Sequence, residues 1–175
     1  MTGSPRLVAR IALFTALIYV LSWGTTFLPN INPIFFLVFS AGYCWGIMPG
    51  VLTGAMGMGL WTFFNPFGPA PLPVALAQIA GTVLIGLIGF FSRNLIKVEN
   101  LNLGSYSVLT ACGLLCSALF FTGVSAVDAI MFQPFKPRFV AGISFAAPAI
   151  LVNGIVFPLL FRLLRPFFLR EKQIK

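Results

Sequence analysis

The side chains of this sequence that could take part in chemistry are few, and most are neutral amides. Histidine is absent, and the three carboxylates, Glu99, Asp128 and Glu171, lie far apart along the chain. Without histidine the chain lacks the commonest general base and the commonest transition-metal ligand. We therefore expect a protein that is not an enzyme, holds no metal or cofactor, and recognises a ligand through hydrogen bonds.

Two of the amides stand inside long apolar segments. Gln78 lies less than two turns after the start of one segment, with Thr82 one turn deeper on the same helical face. Asn153 lies in the middle of another, between Pro148 and Pro158. An amide surrounded by hydrocarbon needs a hydrogen-bond partner, which either a neighbouring helix or a ligand can supply. Both alternatives stay open for Asn153, which we include among the candidate ligand contacts, whereas the position of Gln78 beside a loop favours a ligand.

That loop holds four prolines in the nine residues 65–73. Proline lacks a backbone N–H and restricts the preceding residue, so the loop is predicted to be non-helical and stiff. Asn65 begins it, and we expect Asn65 and Gln78 to hydrogen-bond a ligand. Trp61 precedes it and would stack on a flat ligand, although a tryptophan at this position is also typical of a membrane anchor. Two further candidate ligand contacts lie in the other polar loops, namely Asn32 and Lys136.

The composition indicates an integral membrane protein. Apolar residues make up 59% of the chain and charged residues only 8%, with a mean hydropathy of +1.01. Soluble domains carry roughly 25% charged residues, so this chain cannot cover a water-facing surface. The net charge of +8 comes from the chain ends and connecting loops. This distribution is typical of a membrane protein whose basic residues set its orientation in the lipid, and it argues against nucleic-acid binding. The cysteines, odd in number and inside apolar segments, are interpreted as small core residues: Cys44, Cys112 and Cys116.

The apolar segments predict an all-α bundle of six membrane spans in one domain. Residues 34–64 carry no charge and are too long for one straight span, so we divide them at Met48-Pro49-Gly50. Six spans place both termini and the connector Arg93–Ser105 on one side, together with nine of the eleven basic residues. The positive-inside rule makes that side cytoplasmic. The expected spans are residues 7–27, 34–47, 50–64, 72–92, 106–127 and 139–161, and the expected outer connectors are Leu28–Pro33, Asn65–Pro71 and Asp128–Arg138.

Small residues recur at helical spacing in two regions. Ala12 and Ala16, with Ala9 one turn earlier, form a small-residue face on the first span. Such a face allows another helix to approach closely, either within this chain or in a partner protein. Glycines recur at every fourth residue from Gly42 to Gly54, followed by Gly57, and predict close packing of the second and third spans.

Any uphill transport must draw its energy from another protein. The chain has no glycine-rich phosphate loop followed by Lys and Ser or Thr, so it is not itself a standard P-loop ATPase. Ion-coupled carriers usually hold ionisable residues inside the membrane, and the predicted spans carry essentially none. These two observations favour a partner subunit as the energy source.

Taken together, these features resemble the substrate-specific S components of energy-coupling factor transporters, the vitamin-uptake class of ATP-driven importers. The resemblance covers most of the chain. It rests on six short spans, the Ala12-x-x-x-Ala16 pattern, the glycine-rich second and third spans, the Asn65-Pro66-Phe67-Gly68-Pro69 loop with Gln78 after it, and Asn153 in the last span.

The resemblance implies a substrate pocket near the outer face of a prokaryotic cell membrane, roofed by the loops after spans 1, 3 and 5. It also implies that Ala12 and Ala16 pack on a transmembrane coupling subunit that carries two ATPase subunits. The nickel and cobalt members use an N-terminal histidine, which this chain lacks, so a vitamin-type substrate is expected. The alternative is a non-transporting membrane scaffold, such as those of cell-shape complexes, which would need no ligand.

Overall fold

The computed structural model describes residues 5–26 and 33–173, and within these ranges the chain is helical, with no strand. The prediction of an all-α chain is confirmed for this part. Four segments are long and apolar enough to cross a membrane: Pro5–Gly24, Leu72–Asn94, Leu103–Met131 and Phe135–Leu163. The helices are α1 (Pro5–Gly24), α2 (Ile34–Trp45), α3 (Ile47–Phe63), α4 (Leu72–Phe91, followed by a 3-10 turn at Ser92–Asn94), α5 (Leu103–Met131), α6 (Phe135–Leu163) and α7 (Arg165–Gln173).

The uncharged stretch between residues 34 and 64 folds as a hairpin of two short helices. The break lies at Gly46, which has a φ of 113° that only glycine adopts readily, and not at Met48-Pro49-Gly50 as predicted. Pro49 lies instead in the first turn of α3, where its missing N–H would have no helical partner in any case. Val38 contacts Gly54 across the hairpin, so α3 runs back along α2.

The core of the molecule is built around α2. Ten of its twelve residues are buried, and the phenylalanines of this helix meet rings from α5, α6 and α7. Phe36, for example, packs edge-on against Phe157 with the ring centroids 5.5 Å apart. A helix that is apolar on all sides has to be enclosed by others. At about 18 Å, α2 is too short to cross a hydrocarbon core of about 30 Å alone, and its neighbours shield it instead.

Glycines bring α2, α3 and α4 into backbone contact. A Cβ atom on Gly42 would lie 2.0 Å from the carbonyl oxygen of Gly86, and one on Gly86 would lie 2.6 Å from the carbonyl carbon of Gly50. A Cβ on Gly89 would lie 2.1 Å from the carbonyl oxygen of Phe39. The predicted close packing of the glycine-rich spans is therefore confirmed. We call this contact, made by Gly42, Gly50, Gly54, Gly86 and Gly89, the glycine seam.

Helices α5 and α6 are longer than predicted. Asp128 lies in the last turn of α5, and both Lys136 and Arg138 lie in the first turn of α6. The expected connector Asp128–Arg138 is thus largely helical, and only residues 132–134 separate the two helices. The prediction placed the connector where polar residues begin, but the helices continue through them, although Asp128 at a C-terminus and Lys136 at an N-terminus both oppose the helix dipole.

The first and last described helices meet at one end of the bundle. Arg10 on α1 and Glu171 on α7 form an ion pair with 2.6 Å between Nη2 and Oε2, and the turn at Arg93 lies beside them. We call this the charged end. The loop of residues 64–71 lies at the opposite end, which we call the proline end.

Candidate functional site

Asn65 shapes the loop at the proline end. Its Nδ2 donates to the carbonyl oxygens of Thr62, at 3.2 Å, and Gly68, at 2.9 Å. Its Oδ1 accepts from the backbone N–H of Phe67 at 2.9 Å. Both polar atoms of the amide, predicted to contact a ligand, are therefore engaged by the loop itself. The loop returns to the bundle where the N–H of Ala70 donates to the carbonyl of Thr62 at 3.1 Å.

Gln78 links α4 to α3 just below this loop. The hydroxyl of Thr62, which is 1% exposed, donates to Oε1 of Gln78, and Gln78 itself is half-buried. One turn deeper, the hydroxyl of Thr82 lies 3.1 Å from the carbonyl oxygen of Gly54 on α3. The carbonyl side of the Gln78 amide thus serves interhelical bonding, and its amide NH₂ is the group that can bind a ligand.

Trp61 lies on another face of α3. It follows Gly57 by one turn, and Gly57 faces Ile18 of α1, whereas Thr62 faces Gln78 of α4. The indole is half-buried against the core cluster. Trp61 and Gln78 therefore flank the end of α3 on different sides, and the structure does not stack the indole over the amide.

Asn153 lies at a different depth along the long axis of the bundle from Gln78. It is 2% exposed, its Nδ2 donates to the carbonyl of Ala149 at 2.9 Å, and its backbone lies against Gly113 of α5. Cys112, the neighbour of Gly113, lies 3.3 Å from Ser92 (Oγ to Sγ), at the charged end of α4. Since Ser92 follows Gln78 by fourteen residues, about 20 Å of helix separate the two levels. Asn153 therefore does not share one small-molecule site with Gln78.

The remaining predicted contacts are dispersed. Lys136 is exposed in the first turn of α6. Its neighbour Arg138 is paired with Asp128, with 2.6 Å between Nε and Oδ2, and lies over the ring of Phe132. Asn32 lies outside the described residues.

The small-residue face of α1 points away from the rest of the chain. Ala9, Ala12 and Ala16 are exposed, whereas Phe14 and Ile18 on the other side are buried. Within residues 5–26 and 33–173, packing inside this chain, one of the two alternatives for the pattern, therefore does not cover these alanines.

The charged end contains a network that the sequence did not predict. The carboxylate of Glu171, with its side chain 12% exposed, accepts from Arg10 and from Nε1 of Trp45, both at 2.6 Å. The guanidinium of Arg10 also lies 5.7 Å from the centroid of the Trp45 ring. One carboxylate thus joins α1, α2 and α7. The only signal in the sequence was the excess of basic residues, which says nothing about pairing.

Two arginines at the charged end hydrogen-bond to backbone carbonyl groups, one at the carboxyl end of α2 and one in the turn at residues 98–99. Arg93 donates to the carbonyl oxygens of Tyr43, at 2.6 Å, and Cys44, at 2.9 Å, at the carboxyl end of α2. The last carbonyls of a helix generally need hydrogen-bond donors from outside the helix, and a cation at this end of a helix is favourable. Arg165 donates in the same way to the carbonyls of Val98 and Glu99.

The connector and α7 are joined by a surface ion pair. Lys172 donates to the carboxylate of Glu99, and this hydrogen bond, aided by a backbone N–H, lowers the pKa of Glu99 below its ordinary value. The stabilisation is therefore present above the ordinary carboxyl pKa and is lost as the pH falls through the lowered one. Both side chains are at least half exposed, so solvent screening keeps the contribution small.

A cavity of about 170 Å³ lies between these elements. Its wall combines cationic side chains from the end of α4 and from α7 with an apolar side formed by Ile96, Val98 and Phe168. It lies at the charged end, about 20 Å along α4 from Gln78. The two candidate binding regions thus lie at opposite ends of the bundle: Gln78 offers a neutral amide at the proline end, and the cavity offers cations at the charged end.

No protein-family model, curated protein or solved structure matches this chain. Among residues 5–26 and 33–173, no group of three His, Cys, Asp or Glu side chains could hold a metal ion. What the described side chains can do is bind through hydrogen bonds at the proline end and through positive charge at the charged end.

Proposed function

We propose that this chain is the substrate-binding membrane subunit of an energy-coupling factor importer in a prokaryotic cell membrane. It captures a vitamin or related micronutrient at the outer face and delivers it to the cytoplasm with a coupling subunit and two ATPases. The observation that carries the proposal is the uncovered alanine face of α1. Ala9, Ala12 and Ala16 provide a surface on which a partner helix can pack at close range, and no part of the described chain occupies it.

In this proposal all of α1 to α6 cross the membrane, and both termini are cytoplasmic. Successive helices reverse direction: α2 against α3 at Gly46, and α4 against α5, where Gly81 meets Phe120 and Ser92 meets Cys112. The short helices α2 and α3 cross while shielded by longer neighbours. The cytoplasmic face is then the charged end, as expected from the distribution of Lys and Arg.

The substrate binds at the proline end. Gln78 offers its amide NH₂, Trp61 offers an aromatic surface at the adjacent edge of α3, and Asn65 acts indirectly by fixing the shape of the loop. The prolines lower the conformational entropy that the loop loses when it closes on a ligand. Because Asn153 lies at another level, its role in the proposal is helix packing.

The decisive experiment is mass spectrometry of small molecules that remain bound through purification in a mild detergent. A vitamin-type compound present at one per chain is the expected result. Purification of a correctly folded chain without any such compound, from cells supplied with vitamins, would favour the alternative. That alternative is a scaffold protein that uses the same alanine face without a ligand.

Affinity measurements then locate the site. Gln78→Ala should weaken binding by about 1–3 kcal/mol because it removes a half-buried hydrogen-bonding group. Thr62→Val removes the internal partner of Gln78 but keeps its amide, and should change affinity less than Gln78→Ala does. Asn100→Ala, which removes an exposed amide at the charged end of the bundle, serves as the control. Equal losses in the first two variants would show that the interhelical bond, and not ligand contact, is what Gln78 provides.

The topology has a separate test in cysteine labelling. The native cysteines are buried, so single cysteines introduced at Pro69 and Asn102 can be read against a low background. We expect Pro69→Cys to react from outside the cell and Asn102→Cys from the cytoplasm. Labelling of both positions from the same side contradicts the six-span arrangement.

A further inference from the structure

The chain cannot neutralise its own charged end. It has three carboxylates against eleven basic side chains, and each carboxylate is already in an ion pair. Glu171 pairs with Arg10, Glu99 with Lys172 and Asp128 with Arg138. No side-chain carboxylate is left to serve as counter-ion for the remaining basic residues of the described part of the chain, so external anions are their main source of counter-ions.

The cavity at the charged end concentrates this unmatched charge. Arg93, Lys97 and Lys172 line it, but Lys172 is already paired with Glu99, so the unmatched cations of the cavity are Arg93 and Lys97. Its one acidic lining residue, Glu171, is held by Arg10. Arg93 is fixed in orientation because two of its N–H groups donate to the carbonyls at the end of α2. Within the described residues, neither Arg93 nor Lys97 pairs with a carboxylate. The cavity therefore presents cations that are available to an anion.

Size and position narrow the ligand class. At about 170 Å³ the cavity is smaller than the roughly 300–1,000 Å³ typical of sites that enclose a whole drug-sized ligand. It has room for one compact anionic group and a few waters, since a water takes up about 30 Å³. It lies where α2 and α4 end, with cations on one side and an apolar wall on the other. This combination suits a group that is charged at its head and apolar next to it.

We propose that this cavity binds a phosphate-bearing anion, supplied by the headgroup of an anionic membrane lipid. Lys97 contacts the phosphate directly, Arg93 and Lys172 add positive charge, and the buried side chains of Ile96 and Phe168 form the apolar wall beside the headgroup. Basic pockets at the ends of membrane helices recognise anionic headgroups through this combination of charge and apolar contact. Free phosphate carries the same chemistry and is distinguished by experiment. The site is independent of the proposed substrate site, which lies at the other end of the bundle.

The test compares lipid retention by matched variants. The protein is reconstituted in phosphatidylcholine nanodiscs with or without phosphatidylglycerol, transferred to mild detergent, and examined by native mass spectrometry for retained lipid. Lys97→Gln removes the exposed lining cation that is not paired with Glu99, and Lys97→Arg preserves its charge. Arg170→Gln removes an exposed cation of α7 that does not line the cavity, and so reports general attraction to an anionic surface. Arg93 is left intact because it closes the end of α2.

Wild type and Lys97→Arg should each retain one phosphatidylglycerol per chain. Lys97→Gln should retain at least about fivefold less phosphatidylglycerol, because the loss of one positive charge near an anionic surface weakens binding by about that factor. Arg170→Gln should behave as wild type. A second arm adds inorganic phosphate to protein in phosphatidylcholine nanodiscs. A rise in melting temperature that Lys97→Gln abolishes, without selective lipid retention, assigns the cavity to soluble phosphate. The proposal is overturned if Lys97→Gln and Arg170→Gln lose equal amounts of phosphatidylglycerol. It is also overturned if the protein retains phosphatidylcholine to the same extent as phosphatidylglycerol and phosphate does not change its melting temperature.

Discussion

The glycine seam and the alanine face of α1 are the same kind of sequence pattern with opposite outcomes. Both repeat a small residue at every third or fourth position of an apolar helix. The glycines are enclosed between α2, α3 and α4, where backbone atoms meet directly. The alanines are exposed on the surface of α1. The comparison shows that small-residue spacing predicts a close helix contact but does not identify the other helix.

The glycines are enclosed and the alanines exposed because the two helices have different faces packed against their neighbours. α2 is apolar all round and short, so it must be surrounded, and Gly42 together with the glycines of α3 and α4 allows these helices to approach it. α1 already packs on α2 and α3 through Ile11, Phe14, Thr15, Ile18 and Ser22, and the alanines lie off this face. Substitutions that add atoms should therefore separate the two regions clearly.

The largest effect is expected for Gly42→Ala. The new Cβ would lie 2.0 Å from the carbonyl oxygen of Gly86 and 3.2 Å from the backbone nitrogen of Phe90. Backbone atoms cannot move aside as a side chain can, so α2 and α4 must separate, at a cost of at least about 3 kcal/mol. Thermal unfolding in detergent, followed by tryptophan fluorescence, should show a large loss of stability or no folded protein. A melting temperature equal to that of wild type would show that the seam is not tightly packed.

A smaller loss is expected for Gly57→Ala, at the contact between α1 and α3. Its Cβ would lie 2.9 Å from Cδ1 and Cγ2 of Ile18, a side chain that is fully buried. Ile18 can adjust its rotamer in part, and alanine favours the helix by about 1 kcal/mol, so the net cost should be about 1 kcal/mol. The same unfolding assay measures it. A cost as large as that of Gly42→Ala would mean that α1 is held as rigidly as the seam helices.

Gly59→Ala is the control within α3 for both substitutions. No atom lies within 4 Å of a Cβ at this position. The change should leave stability unchanged or raise it by up to about 1 kcal/mol, since alanine restricts the unfolded chain and favours helix. Destabilisation here would indicate that any substitution of a glycine in α3 is harmful, and would remove the contrast with Gly42.

The smallest change in stability is expected for the double variant Ala12→Leu and Ala16→Leu. Both side chains are exposed, so the free energy of unfolding should differ from that of wild type by no more than about 0.5 kcal/mol. The melting temperature should therefore stay close to the wild-type value. In the proposed transporter the same variant should lose uptake and co-purification with the coupling subunit while retaining substrate affinity. Uptake at the wild-type level would show that the alanine face is not the coupling surface. Joint loss of stability and binding would place the alanines inside the fold.

Parts of the fold followed from local chemistry, and the sequence predicted those parts. Length and apolarity marked the long helices α1, α4, α5 and α6, and the prolines of the 65–73 stretch marked a break between helices. The turn at Gly46 was misplaced because Pro49 is a stronger breaker in general but is tolerated in the first turn of a helix. The ends of α5 and α6 were set too short because charged residues were interpreted as loop.

The candidate site was less predictable for a different reason. Its residues were chosen because each is a polar group in apolar surroundings that needs a hydrogen-bond partner. Each of them finds that partner in a different way. Asn65 bonds its own loop, Gln78 bonds Thr62, and Asn153 bonds a carbonyl one turn back in its own helix. Which of these solutions a polar group adopts depends on neighbours that are distant in the sequence.

What the sequence determined by itself is an all-helical, apolar chain with positive charge concentrated near its ends, because composition and helical length are local properties. Only the tertiary structure decided that Gly42 lies against Gly86 while Ala12 and Ala16 are exposed, and that Glu171 joins Arg10 to Trp45. Small residues and charges become packed or exposed according to which helices surround them. That depends on the arrangement of the whole bundle, which no single segment of the chain encodes.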